Sequence, residues 1–335
     1  MSSSMAMTLV PSRKIVDRIL NGGDLVMGLT VRQRETITRM AGYVTNPLHV
    51  KYRVWRGREQ AHVIGDMTII LPPEHNLPFY QRRDPTYDTY AIGLLSALAT
   101  GSRRVTVIDV GANVGDTAAA ILSSDEDTRV ICVEGAPRFV QYLKRNLRGM
   151  GARATVVEGF VGPVGSNVEF SMHGSTGGFR AGGDDAQAVT RWVRPAELLD
   201  MTDHNDLVVW KSDVDGFDIH VLANHWTDID ERADVIWFEF DTPGTLGDSN
   251  DVDALIEALI ASERHCLVYD NLGRLMVDLA PGCANGLATL SNWLHQQRQG
   301  HVTVPYLDVW ALTPEAYGLL ESPKASGTKV NSGPQ

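Results

Sequence analysis

The stretch that decides the fold is VTVIDVGANVGD, residues 105–116. Its first half is mostly apolar, which is typical of a strand buried on both faces. Gly111 and Gly115 then permit a tight turn, and Asn113 tolerates left-handed backbone better than most residues do. Apolar residues at helical spacing follow over residues 114–123. The stretch therefore predicts a strand, a glycine turn and a helix, which together begin an α/β sheet.

Short apolar runs alternate with helical patterns through the rest of the chain. This alternation predicts a mostly parallel sheet with helices on both faces. Right-handed crossovers place the carboxyl ends of such strands at one edge, where ligands bind. The further predicted strands are 129–134, 154–158, 207–213, 235–241, 266–270 and 306–312. The predicted helices of this region are 137–148, 251–262 and 287–298.

The first hundred residues have a mixed pattern. Residues 62–71 predict one strand that stops at Pro72-Pro73, and residues 167–172, further on, are predicted to pair with the segment before them. Helical spacing is found in residues 12–20, 32–41 and 87–100. We predict three parts: a mixed α/β extension over 1–85 that serves as a lid or oligomerisation element, a main α/β domain over 86–321, and a disordered tail over 322–335.

Composition narrows the class of protein. The 335 residues include 30 Lys and Arg against 41 Asp and Glu, a net charge of −11, which argues against nucleic acid as the main partner. Cys132, Cys266 and Cys283 are scattered, so a disulfide framework and a cysteine zinc site are disfavoured and a cytoplasmic location is expected. No apolar run approaches the length of a membrane span, so none is predicted.

The glycine turn limits what the sheet edge can hold. A dinucleotide fingerprint would need glycine at Asn113 and a small residue at Asp116. An acid at the start of a helix is also a poor neighbour for a pyrophosphate. S-adenosylmethionine (SAM) fits better, because it carries a sulfonium and an ammonium and no phosphate. Glu134, which ends the next predicted strand, can accept hydrogen bonds from both ribose hydroxyls, so the two features together predict an adenosine site.

A second acidic cluster follows the strand predicted over residues 207–213, in the sequence WKSDVDGFD, residues 210–218. An EF-hand alignment would place Lys211 and Leu222 at ligand positions, so that interpretation fails. Asp213-Val214-Asp215 also matches the short D-x-D motif of metal-dependent glycosyltransferases, which stays open as an alternative function. A purely structural alternative is a solvated turn in which Asp215 or Asp218 caps a helix.

Several motifs in order now give a resemblance. The chain resembles the FkbM family of SAM-dependent methyltransferases over roughly residues 85–312. The matching pieces are VIDVGANVGDT (107–117), VICVEGAPRFVQYLKRNL (130–147), VVEGFVG (156–162), VVWKSDVDGFDIHVL (208–222) and VIWFEFD (235–241). Tyr87-Asp88 and YDNLGR (269–274) are also similar to a subgroup associated with glycan and natural-product clusters.

The resemblance implies a Rossmann-like, seven-stranded methyltransferase sheet whose last strand, residues 306–312, runs antiparallel. It implies O-methylation of a sugar, glycan or other small natural product, with residues 86–321 as the methyltransferase domain. Many relatives have proline directly after the acid that corresponds to Glu134, whereas this chain has Gly135-Ala136. The glycine-rich segment 173–183 is also unusual and is interpreted as an acceptor loop.

The resemblance also implies roles for individual residues at the cofactor. Asp109, Gly111, Asn113 and Gly115 would border the methionine end, with Asp116 beside them. Glu134 would hold the ribose, Glu158 would lie at the adenine edge, and Asp213 would meet the cofactor's amino group or the acceptor.

Methyl transfer is an in-line displacement that depends mainly on positioning, and a general base helps when the acceptor is an alcohol. The candidate bases are Asp213, Asp241 and His173, and Lys211 is a candidate for orienting Asp213 or the acceptor. A divalent metal on Asp213 and Asp215 would be another way to acidify the alcohol, but no metal is predicted. The expected partner is a neutral hydroxylated small molecule or glycan rather than nucleic acid. Homo-oligomerisation and a non-catalytic adenosyl-binding role both stay open.

Overall fold

A computed structural model describes residues 50–84, 86, 89–162, 168–173, 176–181, 187–188, 191–214, 216–246 and 248–321. The helices predicted over 12–20 and 32–41, and the tail over 322–335, lie outside this description. The chain divides into two compact units, Met1–Gly57 and Arg58–Gln335, so the division falls earlier than the boundary predicted at residue 85. Of the first unit, residues 50–57 are described, and residues 50–56 are helical.

The second unit contains all of the described strands. They are β1 (Gln60–Ile64), β2 (Met67–Leu71), β3 (Val105–Val110), β4 (Arg129–Glu134), β5 (Ala154–Glu158), β6 (Phe160–Val161), β7 (Val168–His173), β8 (Thr176–Ala181), β9 (Gln187–Ala188), β10 (Trp192–Val193), β11 (Leu207–Ser212), β12 (Val235–Phe240), β13 (His265–Asp270), β14 (Leu275–Leu279) and β15 (Leu307–Leu312).

Its helices connect and cover these strands. They are α1 (Leu77–Arg83), α2 (Thr89–Leu98), α3 (Asp116–Ser124), α4 (Pro137–Leu147), α5 (Pro195–Leu199), α6 (Asp218–Asp230), α7 (Ser249–Ala261), α8 (Gly286–Arg298) and α9 (Pro314–Glu321). Among the described residues, no helix combines the length and the apolar character needed to cross a bilayer.

The central sheet has eight strands in the order β14-β13-β15-β12-β11-β3-β4-β5. The strands from β12 to β5 pair in parallel, whereas β15 pairs antiparallel with both β12 and β13. This confirms the predicted Rossmann-like sheet with an antiparallel last strand. The eighth strand, β14, was not predicted; it folds back on β13 after a turn in which Gly273 has a φ of 74°.

Both faces of the sheet are buried, as the continuous apolar runs predicted. Every residue of β3 is buried, and successive side chains point to opposite faces. Ile108 packs in the core cluster that contains Phe238, and Val107 packs in the opposite cluster with Leu143. Since the parallel strands all run the same way, their carboxyl ends meet at one edge, and the turn after β3 lies at the centre of that edge.

Residues 62–71 form a hairpin rather than the single predicted strand. The turn is Gly65-Asp66, and Gly65 has a φ of 57°, a conformation that glycine adopts readily. Asn146 fixes the hairpin to the sheet domain: its amide accepts a hydrogen bond from Ile70 N–H (2.8 Å) and donates to the carbonyls of Ile70 (3.1 Å) and Val114 (2.8 Å). The hairpin therefore packs with the central sheet domain through Asn146 of α4.

A small separate sheet has the order β8-β7-β9. Its main pairing joins β7 to the strand that follows it, with His173 opposite Thr176. The prediction that residues 167–172 pair with the segment before them was therefore wrong. The glycines at 177 and 178 explain the difference, because they lie in β8 where propensity alone disfavours a strand.

Candidate active site

A cleft of about 480 Å³ opens at the carboxyl edge of the central sheet. Its described lining follows the strand order. One end holds residues after β4 and β5, the middle holds the turn after β3, and the other end holds residues from β11, β12, the β13–β14 turn and the start of β15. The polar and charged lining residues are His75, Tyr80, Arg83, Asn113, Asp116, Thr117, Glu134, Lys211, Asp213, Glu239, Asn271 and Tyr306.

The glycine turn has the left-handed backbone that its sequence suggested. Gly111, Asn113 and Gly115 have φ values of 82°, 48° and 82°. A Cβ atom at Gly111 would collide with the backbone carbonyl of Asp213, so the turn packs directly on the end of β11. Asp116 begins α3 and lines the cleft, which places an acid where a phosphate-binding loop would present free N–H groups.

The backbone holds Glu134 in place at the β4 end of the cleft, next to the glycine turn. Its side chain accepts hydrogen bonds from the N–H groups of Asn113 (2.8 Å) and Ala136 (2.7 Å), one on each carboxylate oxygen. Burial raises the pKa of Glu134 to about 7, against the lowering effect of these N–H groups. A carboxylate accepts about four hydrogen bonds, so capacity is left for donors on a ligand.

The cleft end beside β5 is flat and partly aromatic. Gly135, Phe160 and Val161 line it, and a side chain at Gly135 would collide with the Phe160 ring. Glu158 does not join them: its side chain is 58% exposed and pairs with Lys144 at 2.5 Å. The predicted role of Glu158 at the adenine edge therefore has no support from its position.

Lys211 forms a buried ion pair beneath the centre of the cleft. Its Nζ lies 2.7 Å from Asp109 Oδ1, 3.5 Å from Asp213 Oδ2 and 5.5 Å from the Trp237 ring centroid. Burial works to lower the pKa of Lys211, but the charges of Asp109 and Asp213 outweigh it and hold that pKa above its ordinary value. Asp109 is completely buried under the lining, so it holds Lys211 in place rather than facing a ligand.

The aspartates after β11 have different environments. Asp213 lines the cleft with its side chain 54% exposed. Asp218 begins α6 and accepts hydrogen bonds from Ser212 Oγ (2.8 Å) and Val214 N–H (3.1 Å), so it lies at a helix start as the structural alternative suggested but is buried rather than solvated. Asp215 lies outside the described residues. Within the described ranges, no cluster of three or more His, Cys, Asp or Glu side chains could hold a metal ion.

Of the other two candidate bases, Asp241 is not among the described residues that line the cleft, and His173 cannot be placed. Asp241 lies just past the end of β12, where Arg298 Nη2 contacts its two carboxylate oxygens at 3.1 and 3.2 Å. Gly244 N–H also donates to it at 3.2 Å. His173 is the last residue of β7, and its side chain lies outside the described part of the chain.

Glu239 and Asp308 are functional candidates that sequence reasoning missed. Glu239 lines the cleft, and Asp308 lies directly opposite it on the antiparallel neighbour strand. The Tyr90 hydroxyl donates a hydrogen bond of 2.7 Å to Asp308. The sequence did indicate Glu239, because it is an acid within an otherwise apolar strand. The candidate base was nevertheless assigned to Asp241, at the end of that strand.

His75 was also missed, since it precedes the region that resembles a known family. The imidazole is buried and lines the cleft beside the glycine turn. Its Nδ1 lies 3.3 Å from Leu77 N–H, so the neutral ring carries its proton on Nε2. Burial lowers the pKa of His75, while the charges of Asp116 and Glu74 act to raise it. His75 and the α1 residues Leu77, Tyr80 and Arg83 thus contribute to the lining of the cleft.

Comparisons with known proteins give solved structures of low similarity. No protein-family model matches the chain, and no curated protein matches it. Among solved structures, it is similar to precorrin-6y C5,15-methyltransferase from Geobacter metallireducens at 14% identity, covering 68% of this chain and 88% of that one with a TM-score of 0.35.

Two further similar structures are O-methyltransferases. One is TomG from Streptomyces achromogenes, involved in tomaymycin synthesis and in complex with SAM, at 13% identity, coverage of 68% and 79%, and a TM-score of 0.37. The other is from Bacillus cereus, in complex with SAH, at 10% identity, coverage of 67% and 80%, and a TM-score of 0.36. Scores this low carry no argument about function, so the function is inferred from the site.

Proposed function

We propose that the protein is a SAM-dependent O-methyltransferase of the FkbM type that acts on a hydroxyl of a sugar, glycan or other natural product. The observation that carries the proposal is Glu134, a buried carboxylate clamped by two backbone N–H groups and facing the cleft next to a left-handed glycine turn. This arrangement offers hydrogen-bond acceptors to a ribose, and no phosphate-binding loop accompanies it.

The charge of the lining supports a cationic cofactor. Asp116, Glu134, Asp213 and Glu239 place four acids along the cleft, and the buried cation Lys211 is paired with Asp109. Such a site favours a ligand with a sulfonium and an ammonium and opposes a pyrophosphate. When bound, SAM supplies an electrophilic methyl group; the protein's own residues bind, align and exclude water.

The size of the cleft supports a second ligand beside the cofactor. The ends of four neighbouring strands span roughly 14 Å, since adjacent strands lie about 4.8 Å apart. Adenosine and methionine would occupy the ends of β5, β4, β3 and β11. The part beyond, lined by Glu239, Asn271 and Tyr306, is polar and would receive a hydroxylated acceptor.

Ligand-induced stabilisation tests the cofactor half of the proposal. We expect S-adenosylhomocysteine (SAH) and SAM at millimolar concentration to raise the melting temperature, because both bind the folded state only. NAD serves as a dinucleotide control, and UDP-glucose with manganese tests the D-x-D alternative. Stabilisation by UDP-glucose with manganese and none by SAH would reject the proposal in favour of a glycosyltransferase.

Product formation tests the catalytic half. SAM with a labelled methyl group is incubated with the protein and a panel of hydroxylated acceptors, and both SAH and methylated product are measured. We expect the label to reach an acceptor oxygen in stoichiometric amount with SAH. Binding of SAH without product from any acceptor in the panel would support the non-catalytic alternative instead.

A further inference from the structure

Two carboxyl groups face each other at the acceptor end of the cleft. Glu239 on β12 and Asp308 on β15 are direct cross-strand partners, so their side chains leave the same face of the sheet. Directly opposed like charges are destabilising in a sheet. Asp308 receives the Tyr90 hydroxyl, whereas Glu239 lines the cleft itself. The pair is therefore most stable when one of the two carboxyl groups carries a proton.

The surroundings of the pair strengthen this conclusion. The Lys211 ammonium is bound to Asp109 at 2.7 Å and lies over the Trp237 ring. Its charge acts to lower the pKa of Asp308, but burial outweighs it. Burial raises the pKa of Glu239 well above its ordinary value and that of Asp308 to about 7. The charges of Asp213, Asp218, Asp308 and Asp241 all act to raise the pKa of Glu239.

We propose that Glu239 takes up the proton of the acceptor hydroxyl during methyl transfer, and that Asp308, held by Tyr90, is the positioning residue that keeps Glu239 basic. The inference rests on the proposed function and assigns one residue of that site. A carboxylate that shares a site with another carboxylate binds a proton more tightly than an isolated one, which is what a base for an alcohol requires.

With a hydroxyl acceptor, the proposed step converts the acceptor and SAM into a methyl ether and SAH. The acceptor oxygen forms a bond to the methyl carbon while the carbon–sulfur bond breaks and its electron pair stays on sulfur. The proton of the hydroxyl moves to the Glu239 carboxylate. The products are the methyl ether, SAH and a protonated Glu239, which returns its proton to water through the open cleft.

Geometry favours Glu239 over the candidates from the sequence. Asp213 is 54% exposed and its carboxylate lies 3.5 Å from the Lys211 ammonium, so it is already engaged by solvent and by a cation. Asp241 is engaged by Arg298 and lies outside the described lining. Glu239 lines the cleft, and its cross-strand partner Asp308 disfavours its ionised form.

The first test measures methyl transfer as a function of pH. The probes are catechol, glycerol and methyl β-D-glucoside with SAM, and the fastest is used for all variants. Since the reaction needs ionised Glu239, the rate of wild type should rise with pH. Glu239→Gln should lower the rate about 100-fold or more and remove this rise. Glu239→Asp should recover part of the rate, and Asp308→Asn should move the rise to lower pH.

Control measurements separate chemistry from folding. The stabilisation by SAH should be the same in wild type, Glu239→Gln and Asp308→Asn. Glu257→Gln, an exposed acid on α7, serves as the surface control and should keep the wild-type rate. A rate for Glu239→Gln equal to that of Glu257→Gln overturns the proposal, while absence of SAH binding and turnover in wild type rejects the proposed function itself.

The second test needs no acceptor. A carboxyl group whose folded pKa is raised stabilises the fold at low pH and loses that contribution as pH rises through the folded pKa. Glu239→Gln resembles the protonated acid at every pH. The melting temperature of Glu239→Gln minus that of wild type should therefore increase by about 2 °C or more when the pH is raised from 5 to 9. A difference that is constant with pH overturns the shared proton and with it the proposal.

Discussion

The two ends of the cleft each contain a glutamate near a strand end, buried Glu134 and half-buried Glu239, yet the surroundings of the two residues differ. Glu134 is clamped by N–H groups of Asn113 and Ala136, which favour its ionised form. Glu239 instead faces Asp308 across an antiparallel pair, which favours its protonated form. The difference indicates two tasks: the two N–H groups orient Glu134 as a hydrogen-bond acceptor, whereas the carboxyl neighbour of Glu239 suits it to exchange a proton.

The largest effect is expected from breaking the backbone contact between the glycine turn and the end of β11. Gly111→Ala places a Cβ atom against the carbonyl of Asp213 in a left-handed conformation that costs an ordinary residue about 1–2 kcal/mol. We expect loss of SAH-induced stabilisation and a marked fall in melting temperature. Gly149→Ala is the matched control, because nothing lies within 4 Å of its Cβ position. Equal behaviour of the two variants would show that the turn tolerates displacement.

Removal of the charge at the ribose end should have the next largest effect. Glu134→Gln keeps the shape of the side chain but replaces one acceptor oxygen by an amide donor. Hydrogen bonds to a charged group contribute about 1.5–3 kcal/mol, so the Kd of SAH should rise roughly 10- to 100-fold. Isothermal titration calorimetry measures the change. An unchanged Kd would mean that Glu134 does not contact the ligand.

Tyr90→Phe tests the ionisation of Asp308 at the acceptor end of the cleft. The hydroxyl of Tyr90 stabilises ionised Asp308, whose pKa is about 7 in the folded protein. The variant should lose about 1 kcal/mol of unfolding free energy, and the loss should be larger at pH 8 than at pH 6. Urea denaturation at both values checks this. A larger loss at pH 6 would contradict the assigned ionisation.

The smallest effect is expected at Glu158, the register partner of Glu134 on the neighbouring strand. Because Glu158 is exposed and pairs only with Lys144 among its described ion-pair partners, Glu158→Gln should change stability by no more than about 0.5 kcal/mol. The Kd of SAH, measured alongside Glu134→Gln, should stay within about twofold. A tenfold increase would restore the role that the sequence suggested for Glu158.

The central architecture could be predicted because it depends on local patterns. Continuous apolar runs mark the buried parallel strands, and the spacing of glycines marks the turn after β3. The position of Glu134 could also be predicted, since the end of its strand places it at the edge of the sheet. The antiparallel direction of the last strand came from the family resemblance rather than from any single segment.

The remaining site residues depend on where strands end and which strands are neighbours. β12 stops at Phe240, so Asp241 leaves the sheet and meets Arg298, while Glu239 stays in register with Asp308. β5 is the last strand of its sheet, which leaves Glu158 beside solvent. Neither fact is visible in the local sequence. Asp308 in particular needs a partner strand far away in the chain.

The three hydrogen bonds of Asn146 limit how the protein can be shortened for crystallisation or labelling. A chain that starts at residue 86 would lack Ile70 and would leave this buried amide with the Val114 carbonyl alone of its three described partners. It would also uncover the apolar side chains that Ile69, Leu71 and Leu77 now cover. The boundary that a family resemblance suggests would therefore cut through a packed layer, and a start at or before Arg58 preserves it.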